Sequence, residues 1–281
     1  MIPANFEYHR AGSVDEALSL LAQHDGNAKV LSGGHSLIPA LKLRLNQPAA
    51  LVDIARIADL RYIRLDGQHI AIGAANTHKD IATSALLAEH ISMMPQAAAL
   101  IGDPQVRNVG TIGGSIAHAD PAADWPGVLL AADAQIVLRS AGGTRTLAAQ
   151  DFFLGFFTTA LQEGEILTEI RVPVPAAGTK STYQKFSQPA SRFAIVGCAA
   201  MATLSGGTFT HVRVAFNGVA DGCFRDTNVE KAMEGATAEN IAAAAAQAAQ
   251  GVSILSDHYA AEDYRQHLAQ VYAKRALSAL V

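Results

Sequence analysis

Two cysteines in 281 residues exclude more than any other feature of this chain. Cys198 and Cys223 permit one bridge at most, so a disulfide-framed scaffold is ruled out. Two thiolates also cannot hold an iron–sulfur cluster, which normally takes four. Any such cluster must sit on another chain. Cys198 stands in the apolar run 195–200 and reads as a small buried core residue. Cys223 lies in a polar turn and is assigned no role. Charge is also sparse: 21 Lys+Arg against 25 Asp+Glu give a net −4. With no basic cluster, nucleic acid is not an expected partner. No apolar run approaches the ~20 residues of a membrane span. The first residues form neither a basic n-region nor an apolar h-region, so no signal peptide is expected. The expected location is cytoplasmic, which leaves room for peripheral contact at the inner face of the membrane.

Half of the residues are hydrophobic, but about a fifth of all residues are Ala and only 6% are aromatic. The core must therefore rest on Leu, Ile, Val and Phe. At about 150 residues per domain, the length predicts two domains, three at most. Ser13 and Glu16 form a capping-box pattern that opens a helix over about 14–24. Short strands at 29–31 and 51–54 complete an opening α/β unit, 1–56. Residues 63–73 alternate on both sides of Asp66-Gly67, a hairpin signal. Thr77 caps a helix, and Gly102-Asp103-Pro104 stops another. A Gly-rich stretch follows over 102–127, then strands at 134–139 and 166–172. Pro173 to Lys180 marks the boundary between a second unit, 57–177, and a third, 178–281. The third reads as strands near 182–187, 194–204 and 208–217. Helical segments at 226–233, 238–250 and 259–280 follow.

Two Gly-Gly segments carry the chemistry. The first, Ser32-Gly33-Gly34-His35-Ser36, follows a strand directly; the second is Thr111-Ile112-Gly113-Gly114-Ser115. Glycine lets an anion approach backbone N–H groups without a Cβ in the way. Successive N–H groups form an anion nest, to which flanking hydroxyls add donors. Two such loops suit a ligand with two linked phosphates. Neither G-x-G-x-x-G after the first strand nor G-x-x-x-x-G-K-[ST] is present, which counts against a Rossmann or P-loop nucleotide site. His118, Asp120 and Asp124 follow the second segment without regular ligand spacing. They suit hydrogen bonds to a ribose or ring edge better than a metal. No Ser/His/Asp or Cys/His arrangement emerges, so no catalytic acid, base or nucleophile is expected.

The runs 32–39, 101–108 and 111–124 resemble the FAD-binding medium subunit of the molybdenum hydroxylases. This is the xanthine dehydrogenase family, in its carbon monoxide dehydrogenase medium-chain branch. The runs 165–170 and 183–196 continue the likeness, which spans essentially the whole chain. The resemblance implies an α+β protein: a vanillyl-alcohol-oxidase-type FAD-binding fold of two α/β subdomains, then a C-terminal α+β domain of antiparallel strands and helices. It implies noncovalent FAD on this chain, [2Fe–2S] clusters on a small partner subunit and molybdopterin on a large one, assembled as paired heterotrimers. Electrons would enter from the clusters and leave to an external acceptor. By resemblance, Ser32, Gly33, Gly34, His35 and Ser36 cradle the FAD pyrophosphate with Thr111, Gly113, Gly114 and Ser115. Asp124 bonds polar groups of FAD, and Lys185 lies near the flavin ring. Ile166 or Leu167 offers a backbone contact. Ile101 occupies the place of an aromatic in animal relatives, so stacking is not implied there. His118 and Asp120 complete the binding set. Arg107-Asn108 reads as a structural bracket for the second segment. The competing readings are a stand-alone flavin oxidoreductase and a scaffold subunit without cofactor; co-purification with metal-bearing partners separates them.

Overall fold

A computed structural model describes residues 2–281. Its helices and strands divide among three sheets, each with its own apolar core, plus a small hairpin. The first sheet is parallel: Glu7–Arg10 and Ala28–Leu31 flank Ala50–Asp53. Parallel neighbours need a crossover, and the helix Val14–Gln23 supplies one. Ser13 caps that helix by accepting from the Glu16 N–H. The capping box is not reciprocal, however: the Glu16 carboxylate reaches past Ser13 to the Gly12 N–H at 2.7 Å.

The second sheet is antiparallel. Its five strands run in the order Ile63–Asp66, His69–Gly73, Ile166–Pro173, Gln135–Ser140, Gly143–Ala148. The expected hairpin forms with Gly67-Gln68 as its two turn residues, since Asp66 pairs with His69. Thr77 caps His78–Ala82 in a complete capping box with Asp80. The Gly-rich stretch 102–127 contains the helices Pro104–Val109 and Ile112–His118 and the start of Asp124–Ala131. Asp103 and Thr111 cap the first two, so short polar caps outweigh the helix penalty of Gly113 and Gly114.

The third sheet is a meander of Thr179–Ser187, Ala194–Ser205, Thr208–Asn217 and Phe224–Arg225. Helices Thr227–Met233 and Glu262–Ser278 back it. The expected long helix over 238–250 is a 3-10 turn, a short helix Ile241–Ala245 and further turns, because Ala propensity alone does not sustain it. Helix Asp124–Ala131 is buried along its whole length. It packs between the core of the second sheet and the strands Ala194–Ser205 and Thr208–Asn217 of the third. No helix is long and apolar enough to cross a membrane among the described residues.

Candidate functional site

Strand Ala28–Leu31 ends where the chain turns through Ser32–Ser36 into helix Leu37–Lys42. Gly34 sits at φ +71°, a backbone conformation in which a Cβ is strained. Gly33 is required for a different reason. A Cβ there would stand 2.5 Å from the Val109 carbonyl oxygen and 2.7 Å from the Gly110 Cα. The first segment therefore lies flat against the chain that leads into Thr111. A hydroxyl contact of 2.9 Å between Ser32 and Thr111 joins the two. Among the described residues, the N–H groups of Gly33, Gly34, His35 and Ser36 donate to no protein acceptor. Ser36 and His35 are exposed, and Ser32 is half-buried. A run of free N–H groups with adjacent hydroxyls is a concave donor set for an anion, and it fits a diphosphate.

The second Gly-Gly segment differs from the expectation of a second nest. It is the first turn of helix Ile112–His118, and its N–H groups are already used. Ile112 donates to the Asn76 carbonyl and Gly113 to the Ala74 carbonyl. Gly114 donates to Thr111 Oγ1 and Ser115 to the Thr111 carbonyl. Gly113 serves packing, since a Cβ there would come within 2.6 Å of the Ala74 Cβ. What this segment can offer a ligand is the exposed face of Gly114 and the Ser115 side chain; the Thr111 hydroxyl is buried and engaged by Ser32 and the Gly114 N–H.

The other end of the same helix lies about 10 Å away, at 1.5 Å per residue over its seven residues. There His118 is exposed and packs on Phe157, ring centroids 5.0 Å apart. Asp120 is half-buried and accepts from the Ala122 N–H; burial pushes its carboxyl up. Ile101 is half-buried against the central core. Arg107 donates to the carbonyls of Ile101 and Gly102 at 2.9 Å, which makes it a bracket. The side chains of Ile166 and Leu167 are buried in the core. Their backbone has no ladder partner on one side, because strand His69–Gly73 ends opposite Glu169.

Asp124 and Lys185 meet in the interior. The ammonium donates to Asp124 Oδ2 at 2.8 Å, with side-chain exposures of 1% for Lys185 and 5% for Asp124. Tyr183 donates to Asp124 Oδ1 at 2.5 Å and also lies 3.2 Å from Asn217 Oδ1. A phenol has one proton, so it cannot donate to both. Asn217 Nδ2 is also the one buried side-chain polar atom without a partner among the described residues. Turning the amide by 180° gives Nδ2 an acceptor and resolves the conflict at the phenol: Nδ2 then donates to the Tyr183 hydroxyl, and the phenol proton stays on Asp124. Burial pushes the Asp124 carboxyl up, against Lys185 and Tyr183, which pull it down. Burial and the Asp124 carboxylate both push Tyr183 up, so it remains a donor.

Tyr183 and Asn217 were not among the residues the sequence singled out for the site. Tyr183 had a signal: it stands two positions before Lys185 on one strand, and alternate strand residues share a face. Asn217 had none. A second buried group, His78, accepts from Trp125 Nε1 at 3.1 Å through Nδ1. Burial lowers it to about 4, so it is neutral. A cavity of about 140 Å³ beside Asp120 and Cys223 and an open groove of about 750 Å³ beside Gln96 and Tyr183 lie apart from residues 32–36.

Residues 4–175 match the family described as the FAD binding domain in molybdopterin dehydrogenase, and residues 181–280 match the CO dehydrogenase flavoprotein C-terminal domain. The chain is 42% identical to the carbon monoxide dehydrogenase medium chain of Hydrogenophaga pseudoflava, covering 99% of this chain and 98% of that one. It is 39% identical to the glyceraldehyde dehydrogenase medium chain of Sulfolobus acidocaldarius, covering 98% of each. A solved structure of the Hydrogenophaga pseudoflava carbon monoxide dehydrogenase, lacking the Mo-pyranopterin moiety of its cofactor, superposes with a TM-score of 0.95. That match has 44% identity over 100% of this chain and 98% of that one. The α+β architecture expected from the resemblance is therefore present, and the chain belongs to the FAD-binding medium subunits of the molybdenum hydroxylases, a family of oxidoreductases.

Proposed function

We propose that this chain is the electron-transfer subunit of a heteromeric molybdenum hydroxylase. FAD, held by this chain's residues, would supply the redox chemistry between [2Fe–2S] clusters on a small subunit and an external acceptor. The observation that carries the reading is the run of free N–H groups from Gly33 to Ser36 beside the Ser32–Thr111 contact. These groups would hold the diphosphate. Ser115, His118 and Asp120 would line the path along helix Ile112–His118 toward Asp124 and Lys185. Gly114 would keep that path free of a side chain, while Gly113 would let the helix sit close on Ala74. The buried Lys185–Asp124 pair would lie behind the flavin ring, with Asp124 holding the ammonium in place. Ile101 and the unladdered backbone of Ile166 and Leu167 would bound the ring pocket.

The three sheets and three cores support a division into units 1–56, 57–177 and 178–281. The partners would be an iron–sulfur small subunit and a molybdenum large subunit in a paired heterotrimer, since neither of this chain's two thiols is available to a cluster. Cys198 is buried, and burial pushes Cys223 up to about 12. Two free thiols also suit a cytoplasmic location.

Affinity purification of the tagged chain from its own host tests the reading. The expected result is co-purification of two subunits carrying iron and molybdenum, with FAD released on denaturation. A chain that purifies alone and turns over substrate unaided would make it a stand-alone flavin enzyme. A flavin-free chain in an intact complex would make it a scaffold.

A further inference from the structure

We propose that Glu7, His9 and His24 form a surface site for a divalent transition cation of the zinc, nickel or copper class. The site is independent of the flavin. Glu7 and His9 occupy alternate positions of the edge strand Glu7–Arg10, so their side chains share a face. His24 immediately follows helix Val14–Gln23. Each residue offers one ligand atom, and the three atoms lie within 4.8 Å of one another. The chain has ten histidines, yet this is the one group of three or more potential ligands that converges so closely among the described residues.

The geometry is nearly that of a metal site. In a tetrahedral site with bonds of about 2.0 Å, neighbouring ligands stand about 3.3 Å apart. His9 Nε2 is already 3.2 Å from Glu7 Oε2. The His9 and His24 rings have centroids 5.3 Å apart and are tilted by 42°. Closing the widest gap needs about 1.5 Å, which side-chain rotation supplies while strand and helix hold the backbone.

The donor set selects the cation. Two imidazoles and one carboxylate are the protein ligands of zinc sites that keep an open position. Calcium and magnesium require oxygen ligands instead. A second observation favours positive charge at this place. Helix Val14–Gln23 has acidic residues in its first turn and no basic residue in its last. The partial negative charge at its C-terminus, where His24 sits, is therefore unopposed. With the Glu7 side chain 70% exposed and that of His9 32% exposed, the bound ion would keep water ligands and exchange with solvent. It would clamp the edge strand to the end of the helix.

The full chain, stripped with a chelator and returned to metal-free buffer, is titrated with Zn²⁺ by calorimetry and with Co²⁺ by visible absorption. One equivalent should bind per chain, with a Co²⁺ ligand-field band. His9→Ala and His24→Ala should each weaken binding at least tenfold. The exposed helical control His267→Ala should bind as the parent does. Circular dichroism establishes that each variant is folded. Zinc should raise the thermal midpoint of the parent and not of the two ligand variants. Unchanged stoichiometry and affinity in His9→Ala and His24→Ala would overturn the proposal. Absence of any binding to the parent at millimolar Zn²⁺ would overturn it equally.

Discussion

The buried pair of His78 and Trp125 makes acid stability a quantitative test of the interior. His78 is 5% exposed and sits at the start of helix His78–Ala82. Burial is the main cause of its low pKa of about 4, and the nearby His35 and Arg107 add to it. The unfolded chain has the ordinary value of 6.5, so it takes up the proton first as the pH falls. The stability His78 contributes is present above pH 6.5 and is lost as the pH drops toward 4. The gap between 6.5 and about 4 corresponds to about 3 kcal/mol. About 2 kcal/mol of this is gone by pH 5.

The variant His78→Asn removes the titration and keeps an acceptor for Trp125 Nε1. Asp120, Asp124 and Asp226 have raised carboxyls through burial, so they gain stability on acidification, but they do so in both chains and cancel in the comparison. Trp125 is the sole tryptophan and fully buried, so its emission reports the same locus in urea unfolding. The parent should lose about 2 kcal/mol relative to His78→Asn between pH 7.5 and 5. Parallel stability profiles for the two chains would refute the buried neutral imidazole.

Four substitutions in the site have expected outcomes. Asp124→Asn keeps an acceptor but removes the charge that neutralises the buried Lys185 ammonium, and should cost about 3–5 kcal/mol in urea unfolding. Lys185→Met should cost less, because the Asp124 carboxyl is already pushed up and can take a proton. Gly33→Ala drives a Cβ into the Val109 carbonyl and should lower both thermal stability and retained flavin, read by differential scanning fluorimetry and absorbance. Thr111→Val removes the cap on the Gly114 N–H and the contact to Ser32. It should cost about 1 kcal/mol in chemical unfolding and weaken FAD binding.

Local signals in the sequence translated well into structure. Ser13 and Thr77 cap helices because a cap is decided within four residues. The strand-to-helix turn at 33–36 is legible for the same reason: a strand, two glycines and hydroxyls are contiguous. The helical setting of the second Gly-Gly pair is not legible, because glycines look alike in a loop and in a first helical turn. What decides between them is the pair of carbonyls on Ala74 and Asn76, more than 30 positions away. The same limit hid Asn217, whose partner Tyr183 lies across the sheet, and the meeting of His78 with Trp125. Lys185 and Asp124 entered through family resemblance. Their burial as an ion pair depends on helix Asp124–Ala131 lying against the third sheet, which no local pattern encodes.

The proposed role of the free N–H groups of Gly33, Gly34, His35 and Ser36 is to hold the diphosphate of FAD. Amide proton–nitrogen NMR spectra of the deuterated full chain, titrated with FAD, test it directly. Downfield shifts of those four amide protons are expected, saturating at one FAD per chain. The amides of residues 112–115 should move less, because their N–H groups are already donated to protein carbonyls and Thr111. Saturable FAD binding that leaves the four amides unmoved, or the absence of binding, would contradict it.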